Sequence, residues 1–216
     1  MSATAAQKNC QLLGLALIAF PVLGRYYSLA TTVPSFLGDT VWEGFGNLSS
    51  FLTIWTNILV GIYFFNMAFF PNSRLGTFFQ KPMVEKAILS YILFIGIAYH
   101  LLLSAMYHPV GMLWVYNIFL HYINPAYFLI YALLFMKSGA VKHWHSLYWL
   151  SYLLLYGAYT LVRGEITDFY PYPFANVNAL GYAMAMKNFL GIIVSFFIFS
   201  NVLIFIDCIF DRTSKV

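Results

Sequence analysis

The longest uncharged stretch of this chain is the feature that most limits its fold. From Ala87 to Met136 the sequence contains no Asp, Glu, Lys or Arg. Over all 216 residues, 62% are hydrophobic and only 8% are charged, whereas a soluble domain has about 25% charged residues. A folded surface made from such a chain would be insoluble in water, so the sequence predicts an integral, multi-pass membrane protein.

Six apolar stretches are long enough to cross a bilayer as helices, which takes about 20 residues each. They are Cys10–Val33, Leu48–Phe70, Lys86–Met106, Gly111–Met136, Trp144–Val162 and Gly181–Asp207. Pro34, Pro71, Pro82 and Pro109 fall in the connections, as expected where helices end, and no repeat or linker divides the chain. The predicted fold is therefore all-α, with residues 1–216 forming a single domain of six transmembrane helices.

Basic residues concentrate in alternate connections, and this pattern predicts the orientation. They lie before span one, between spans two and three, between spans four and five, and after span six: Lys8, Arg74, Lys81, Lys86, Lys137, Lys142, Arg212 and Lys215. The connections 34–47, 107–110 and 163–180 carry mainly acidic charges. The positive-inside rule then places both termini in the cytoplasm. In a bacterial inner membrane, those three connections would face the periplasm.

Composition also excludes several partners. The net charge of +4 is thinly spread, and Lys and Arg do not cluster with aromatic residues, so we expect no nucleic-acid partner. Cys10 and Cys208 lie near opposite ends and give no metal-binding spacing, so no metal or cofactor is predicted. Aromatic residues make up 20% of the chain and would either belt the membrane interfaces or line a cavity for an apolar ligand. The sequence leaves the oligomeric state open.

Polar residues on the first two spans are candidates for function, because such residues are costly in lipid. In "FLTIWTN" on span two, Thr53, Thr56 and Asn57 are spaced to share one helix face. They could equally bond their own helix backbone or a neighbouring helix. Arg25, late in span one, is either a side chain that reaches the outer surface or a functional cation.

The segment "FLHYINPAYF" on span four gives the sharpest signal. Pro125 has no N–H, so the carbonyl of His121 loses its usual helical partner, and a kink is expected there. Asn124 could supply a partner for that carbonyl. By the helical rise, Thr53 lies about 8 Å and His121 about 15 Å from the outer ends of their spans. We therefore expect the hydroxyl and the imidazole to meet in the outer half of the bundle.

The segment "LVRGEITDFYPYPFANV" after span five is the most polar part of the chain. Arg163 ends the span, and Asp168 follows. Each Pro of "YPYPF" disfavours helix in the residue before it, so Tyr172 and its neighbours should form an aromatic loop at the outer interface. This loop is either a simple connection or a cap over a site that opens outward.

Two non-enzymatic functions remain open at this point. His100 and His121 could together ligate a haem, which would make the chain a haem- or lipid-binding membrane protein. A small transporter would need a polar path through both halves of the membrane, whereas the polar residues lie mainly in the outer half.

Three segments, "FLTIWTN", "LHYINP" and "LVRG…YPYPF", occur in an order and spacing that resembles the androgen-induced protein family and its bacterial six-helix relatives. The vertebrate members are threonine hydrolases that cleave fatty acid esters of hydroxy fatty acids. The resemblance implies that Thr53, in Phe-Leu-Thr, is the nucleophile and that His121, shortly before Pro125, is its base. The double "YPYPF" is closer to the bacterial branch.

The expected activity is hydrolysis of a lipid ester through an acyl-enzyme. His121 would take the proton of Thr53, which would attack the ester carbonyl. Asn57 or Asn124 could orient the imidazole, and hydroxyls or Arg25 could stabilise the oxyanion. Arg163 is a candidate to hold a fatty carboxylate at the surface, where Asp168 and Tyr172 also lie.

Overall fold

The computed structural model describes residues 4–139 and 141–213, except the side chains of 210–213, and all regular elements in this part are helical. The α-helices are α1 (Ala5–Thr31), α2 (Val41–Leu48), α3 (Leu52–Phe69), α4 (Arg74–Phe79), α5 (Pro82–Leu102), α6 (Met112–Ile118), α7 (Asn124–Phe135), α8 (His145–Thr167) and α9 (Val177–Thr213). A π-helical turn, Phe119–Ile123, joins α6 to α7. Short 3-10 turns occur at Ser35–Leu37 and Pro173–Ala175. Lys215, used in the orientation argument, lies outside the described residues.

Five helical segments of the described chain are long and apolar enough to cross a membrane. They are Ala5–Thr31, Leu52–Phe69, Pro82–Leu102, Met112–Phe135 and Val177–Ile209, and they correspond to five of the six predicted spans. The remaining predicted span, Trp144–Val162, lies within α8 except for its first residue, and the 23 residues of α8 are sufficient in length. Taken together, Tyr, Trp, Ser and charged residues are more numerous in α8 than in any of the other five segments. Its hydropathy therefore does not mark it as a membrane span as theirs does.

Helix α3 begins later than the predicted start of span two. Leu48 instead ends α2, a short helix that was not predicted. The hydroxyl of Ser49 donates to the carbonyl of Phe45 at 2.7 Å, and that of Ser50 donates to the carbonyl of Asn47 at 2.6 Å. Such local side-chain bonds compete with helix continuation. The turn they form brings Thr53 into the first turn of α3.

Helix α2 begins with a capping box. The Thr40 hydroxyl accepts from the Glu43 N–H, and the Glu43 carboxylate accepts from the Thr40 N–H. The backbone N–H groups of Asp39 and Thr40 both donate to this carboxylate and lower the pKa of Glu43. These bonds explain why a helix starts within the connection 34–47, where no helix was predicted.

The described chain divides into two compact units. The first comprises residues 4–34 and 53–137, and the second comprises residues 35–52 and the described residues from 138 onward. In the first unit, α5 packs against α7 and the π-helical turn, and α1 packs along α6, the turn and α7. In the second unit, α8 packs against α9.

An aromatic cluster forms part of the core of the first unit. Phe64 of α3 meets Phe128 and Tyr131 of α7 edge to face, with ring centroids 5.4 and 5.1 Å apart. A Cβ on Gly14 of α1 would lie 2.6 Å from the Phe64 ring, so only glycine permits this approach. Some of the aromatic residues therefore pack on one another, a use that the sequence analysis did not consider.

The π-helical turn accommodates Pro125. In this register a carbonyl pairs with the N–H five residues on, and Asn124 N–H donates to the carbonyl of Phe119. Pro125 therefore deprives Leu120 of its partner, and the Asn57 side-chain amide donates to the Leu120 carbonyl instead, at 3.3 Å. The carbonyl that takes a side-chain partner is that of Leu120, where the sequence analysis expected that of His121.

Glycine at position 96 lets α5 approach this turn closely. A Cβ added to Gly96 would lie 2.7 Å from the carbonyl oxygen of His121 and 3.3 Å from Cγ of Pro125. The distance of 2.7 Å is too short for any real contact, and the atom it would clash with belongs to the backbone. Gly96 therefore fixes how deeply the turn that carries His121 sits against α5.

The segment after α8 is irregular, largely as predicted. α8 ends at Thr167, and the next residue, Asp168, is left-handed with φ 54°, a conformation that Asp tolerates better than most residues. Tyr170–Tyr172 is not helical, but Pro173 starts a 3-10 turn because proline suits the first position of a helical turn. Gly181, at φ 73°, breaks α9 at the predicted start of span six.

Candidate functional site

Thr53 and His121 meet in the first unit. Thr53 lies in the first turn of α3, and His121 lies in the middle of the π-helical turn. Both side chains are buried, and Thr53 Oγ1 is 3.2 Å from His121 Nε2. The contact that the sequence predicted between these two residues is present.

The His121 ring is held on two further sides. Its Nδ1 lies 3.0 Å from the carbonyl oxygen of Asn117, one helical turn earlier. The ring of Tyr99, from α5, stacks on the imidazole with centroids 3.7 Å apart and planes inclined by 18°. The Asn117 side-chain amide donates to the Tyr99 hydroxyl at 2.7 Å. One residue thus contacts both the imidazole and the ring stacked on it.

Neither Tyr99 nor Asn117 was among the predicted site residues. Asn117 carried a usable signal, because it precedes His121 by four residues and so shares its helix face. Tyr99 carried none, since nothing in its local sequence distinguishes it from the other aromatic residues of the chain.

Asn57 and Asn124 support the pair from the backbone side. The Asn57 amide donates to the carbonyls of Thr53, at 2.9 Å, and Leu120, at 3.3 Å. Its oxygen accepts from the Asn124 amide at 2.8 Å. These bonds tie the start of α3 to the turn that holds His121, and they do not involve the imidazole ring. Asn124 Oδ1 is buried and accepts no hydrogen bond from a described residue.

Arg25 is buried in α1, in the same unit. Its charge acts electrostatically on His121. A positive charge thus lies within electrostatic range of the imidazole.

Arg163 belongs to the second unit. Its guanidinium donates to Asn47 Oδ1 at 2.6 Å and lies 5.6 Å from the centroid of the Phe169 ring. Its Nη1 is buried without a hydrogen-bond partner among the described residues. Nearby, burial together with the charges of Glu165 and Asp168 raises the pKa of Tyr170.

Asp168 and Tyr172 are also in the second unit. Asp168 is exposed and accepts from the Asn178 amide at 3.3 Å. Tyr172 is buried and stacks on Phe174, with centroids 5.1 Å apart and planes inclined by 4°. Both residues are engaged in shaping the loop after α8.

His100, the second histidine of the haem alternative, is exposed, and its Nδ1 lies 3.1 Å from the Tyr122 hydroxyl. Among the described residues, no group of three or more His, Cys, Asp or Glu side chains is arranged to hold a metal ion.

Comparison of the chain with family models, curated proteins and solved structures finds no match.

Proposed function

We propose that this protein is an intramembrane lipid esterase, in which Thr53 is the nucleophile and His121 is its general base. The observation that supports this most strongly is the 3.2 Å contact between Thr53 Oγ1 and His121 Nε2. A nucleophile and base within hydrogen-bond reach are the common signature of covalent hydrolases. The resemblance of the motifs around both residues points to the same chemistry.

The hydrogen bonds of the imidazole favour the protonation state that a base requires. The Asn117 carbonyl can only accept, so the hydrogen at Nδ1 points to it. In the neutral ring Nε2 then carries a lone pair, and the Thr53 hydroxyl donates to it. The hydroxyl is thus aligned to lose its proton to Nε2.

The reaction proceeds in two balanced steps. Thr53 Oγ1 attacks the ester carbonyl as its proton passes to His121 Nε2, and the tetrahedral intermediate collapses when the alcohol leaves with that proton. An acyl ester remains on Thr53. Water then attacks the acyl carbonyl and gives a proton to Nε2, the carboxylic acid is released, and Thr53 Oγ1 recovers its hydrogen from the imidazolium.

Two features could stabilise the oxyanion. Thr53 lies in the first turn of α3, where backbone N–H groups lack partners within the helix and the dipole favours negative charge. Arg25 supplies a buried cation in the same unit. Donors already in place when charge develops are usually the largest electrostatic contribution to catalysis.

The proposed setting is a multi-pass membrane protein in which α8 joins the five apolar segments as a sixth span and both termini are cytoplasmic. Thr53, near the outer end of its span, would then act on esters that enter from the outer leaflet, which is periplasmic in a bacterial inner membrane. The many large apolar side chains exposed on the helices are compatible with a lipid environment. The substrate class, fatty acid esters such as those of hydroxy fatty acids, rests on the motif resemblance.

Hydrolysis of a long-chain fatty ester by protein purified in detergent tests this proposal. Thr53→Ala and His121→Ala should each lower kcat by at least about 1,000-fold, and the double variant should be hardly worse, because the two residues act as a unit. Thr56→Ala is the matched control: this threonine is also buried in α3, one turn further along, and its variant should retain most activity.

Two results would contradict the proposal. If Thr56→Ala is inactive and Thr53→Ala is active, the nucleophile has been assigned to the wrong threonine. If neither change affects hydrolysis, the protein is not a threonine esterase, and the binding and transport alternatives replace it. A haem absorption band in the purified protein would then identify the haem-binding alternative.

A further inference from the structure

We infer that Tyr99 is a positioning residue for catalysis, which holds the His121 ring in its reactive orientation and stabilises the positive charge that the ring acquires. The inference rests on the proposed function, because that charge appears only when His121 takes a proton from Thr53. Tyr99 lies on α5 and stacks on the base.

The geometry of the stack is the first argument. Tyr99 and His121 lie nearly face to face, with centroids 3.7 Å apart and planes inclined by 18°. Neutral aromatic rings prefer edge-to-face or offset arrangements, about 4.5–7 Å between centroids, and Tyr63 and Phe128 in the same unit follow that preference at 5.4 Å and 75°. A cation, by contrast, is attracted to the face of an aromatic ring. The stack therefore favours the imidazolium over the neutral imidazole.

The second argument is that, among the described residues, no carboxylate is found acting on the base. In Ser-His-Asp hydrolases, a buried carboxylate orients the histidine and stabilises its imidazolium form. Here the described partner of Nδ1 is the uncharged carbonyl of Asn117, and the charge that acts on the ring is that of Arg25, which has the same sign as the imidazolium. The carbonyl can orient the ring, but it offsets the positive charge only weakly. The face of Tyr99 supplies the missing electrostatic stabilisation.

Asn117 holds both rings of the stack. Its carbonyl fixes the edge of the imidazole, and its side-chain amide fixes the Tyr99 hydroxyl at 2.7 Å. Tyr99 cannot tilt away from His121 without losing this bond, and His121 cannot rotate without losing both the stack and the carbonyl. The orientation of Nε2 toward Thr53 is therefore set by one residue of α5 and one of α6.

Substitution of Tyr99 tests the charge stabilisation. Tyr99→Leu removes the aromatic face and should lower kcat about 10- to 30-fold, the range that a desolvated cation–π contact provides, with little change in KM. Tyr99→Phe keeps the face and should retain at least a third of wild-type kcat. Tyr131→Leu and Tyr131→Phe are matched controls, since Tyr131 is another buried tyrosine of this unit, with its hydroxyl bonded to Gln11. Both controls should leave kcat per folded molecule unchanged.

The nitrogen NMR signals of the His121 ring, assigned by comparison with His121→Ala in detergent micelles, provide a second readout. The wild type should show the tautomer with hydrogen on Nδ1, and Tyr99→Leu should show averaging between tautomers. If Tyr99→Leu does not fold, a double-mutant cycle of Tyr99→Phe and Asn117→Ala tests the positioning role instead. The two single changes remove the same hydrogen bond, so their effects on kcat should be equal and not additive.

Three results would overturn the inference. Folded Tyr99→Leu could keep the wild-type kcat, Tyr131→Leu could lose as much kcat as Tyr99→Leu, or the effects of Tyr99→Phe and Asn117→Ala on kcat could add strictly in the double variant. The proposed function fails in a different way, through hydrolysis that does not depend on Thr53. Hydrolysis that needs Thr53 but is indifferent to Tyr99 would leave the esterase intact and remove only the positioning role.

Discussion

At the scale of single residues, the site is a set of polar atoms that satisfy one another in an apolar setting. A buried polar group without a hydrogen bond costs about 1–3 kcal/mol. Asn57 reduces that cost at several groups at once, because its one amide group pairs with the carbonyls of Thr53 and Leu120 and with the Asn124 side chain. The same bonds fix the backbone on both sides of the Thr53–His121 contact.

Asn57→Ala should therefore destabilise the protein and impair catalysis together. It leaves the Leu120 carbonyl and the Asn124 amide without their partners, and the expected loss in free energy of unfolding is about 2–3 kcal/mol. Asn66→Ala is the control, since Asn66 is buried in the same helix but its amide donates within that helix, to the Ile62 carbonyl. Apparent melting temperatures in detergent should fall further for Asn57→Ala. Equal shifts would show that the hydrogen bonds of Asn57 to the π-helical turn add nothing to stability.

The contact between Thr53 and His121 was predictable from sequence, whereas its surroundings were only partly so. A histidine, a proline and an asparagine within one turn, and two threonines on an apolar helix, are visible as costly residues in lipid. The Asn57 and Asn124 amides were also visible, but their partners were not, because those partners are backbone carbonyls exposed by a change of helical register. The sequence contains no signal at Tyr99, because a tyrosine carries little free-energy cost at any position of such an apolar chain.

At the scale of elements, the π-helical turn determines where His121 points. An α-helix advances 100° per residue at 3.6 residues per turn, so one additional residue in a turn redirects the side chains around it. Sequence alone predicted irregularity at Pro125 but not its form. The choice between a kink and a π-helical turn depends on residues from other helices, namely Asn57 at the Leu120 carbonyl and Gly96 beneath His121.

Gly96→Ala should displace this turn. The new Cβ would meet the His121 carbonyl at 2.7 Å and Pro125 Cγ at 3.3 Å, so α5 and the turn must separate. Since catalytic groups misplaced by about 1 Å can lose 100-fold in rate, we expect kcat to fall by at least about 10-fold while the protein still folds. Gly191→Ala serves as the control, because a Cβ at that helical glycine has nothing within 4 Å. A Gly96→Ala enzyme with wild-type kcat would show that the close approach of α5 is not needed for catalysis.

At the scale of the whole molecule, the number of spans determines the topology. Hydropathy and length identify five segments in the described chain, and α8 is long enough but more polar. An odd number of spans would place the termini on opposite sides of the membrane, whereas six would place them on the same side. The alternation of basic connections, which no hydropathy scale includes, is the argument for six.

Topology reporters distinguish these two arrangements. With six spans and the predicted orientation, a reporter fused after Val216 should be cytoplasmic, and one inserted near Asp39 should be on the outer side. A reporter after Lys142 should be cytoplasmic as well. If the fusion after Val216 is on the outer side while that after Lys142 is cytoplasmic, α8 does not cross the membrane with the others.

The most direct test of the central claim is to locate the covalent adduct that an esterase inhibitor forms with the protein. We predict that a long-chain fluorophosphonate labels the detergent-purified protein once and that mass spectrometry of its peptides places the label on Thr53. Labelling should disappear in Thr53→Ala, slow strongly in His121→Ala and persist in Thr56→Ala. A label on any other residue, retained in Thr53→Ala at the wild-type rate, would contradict the assignment of Thr53 as the nucleophile.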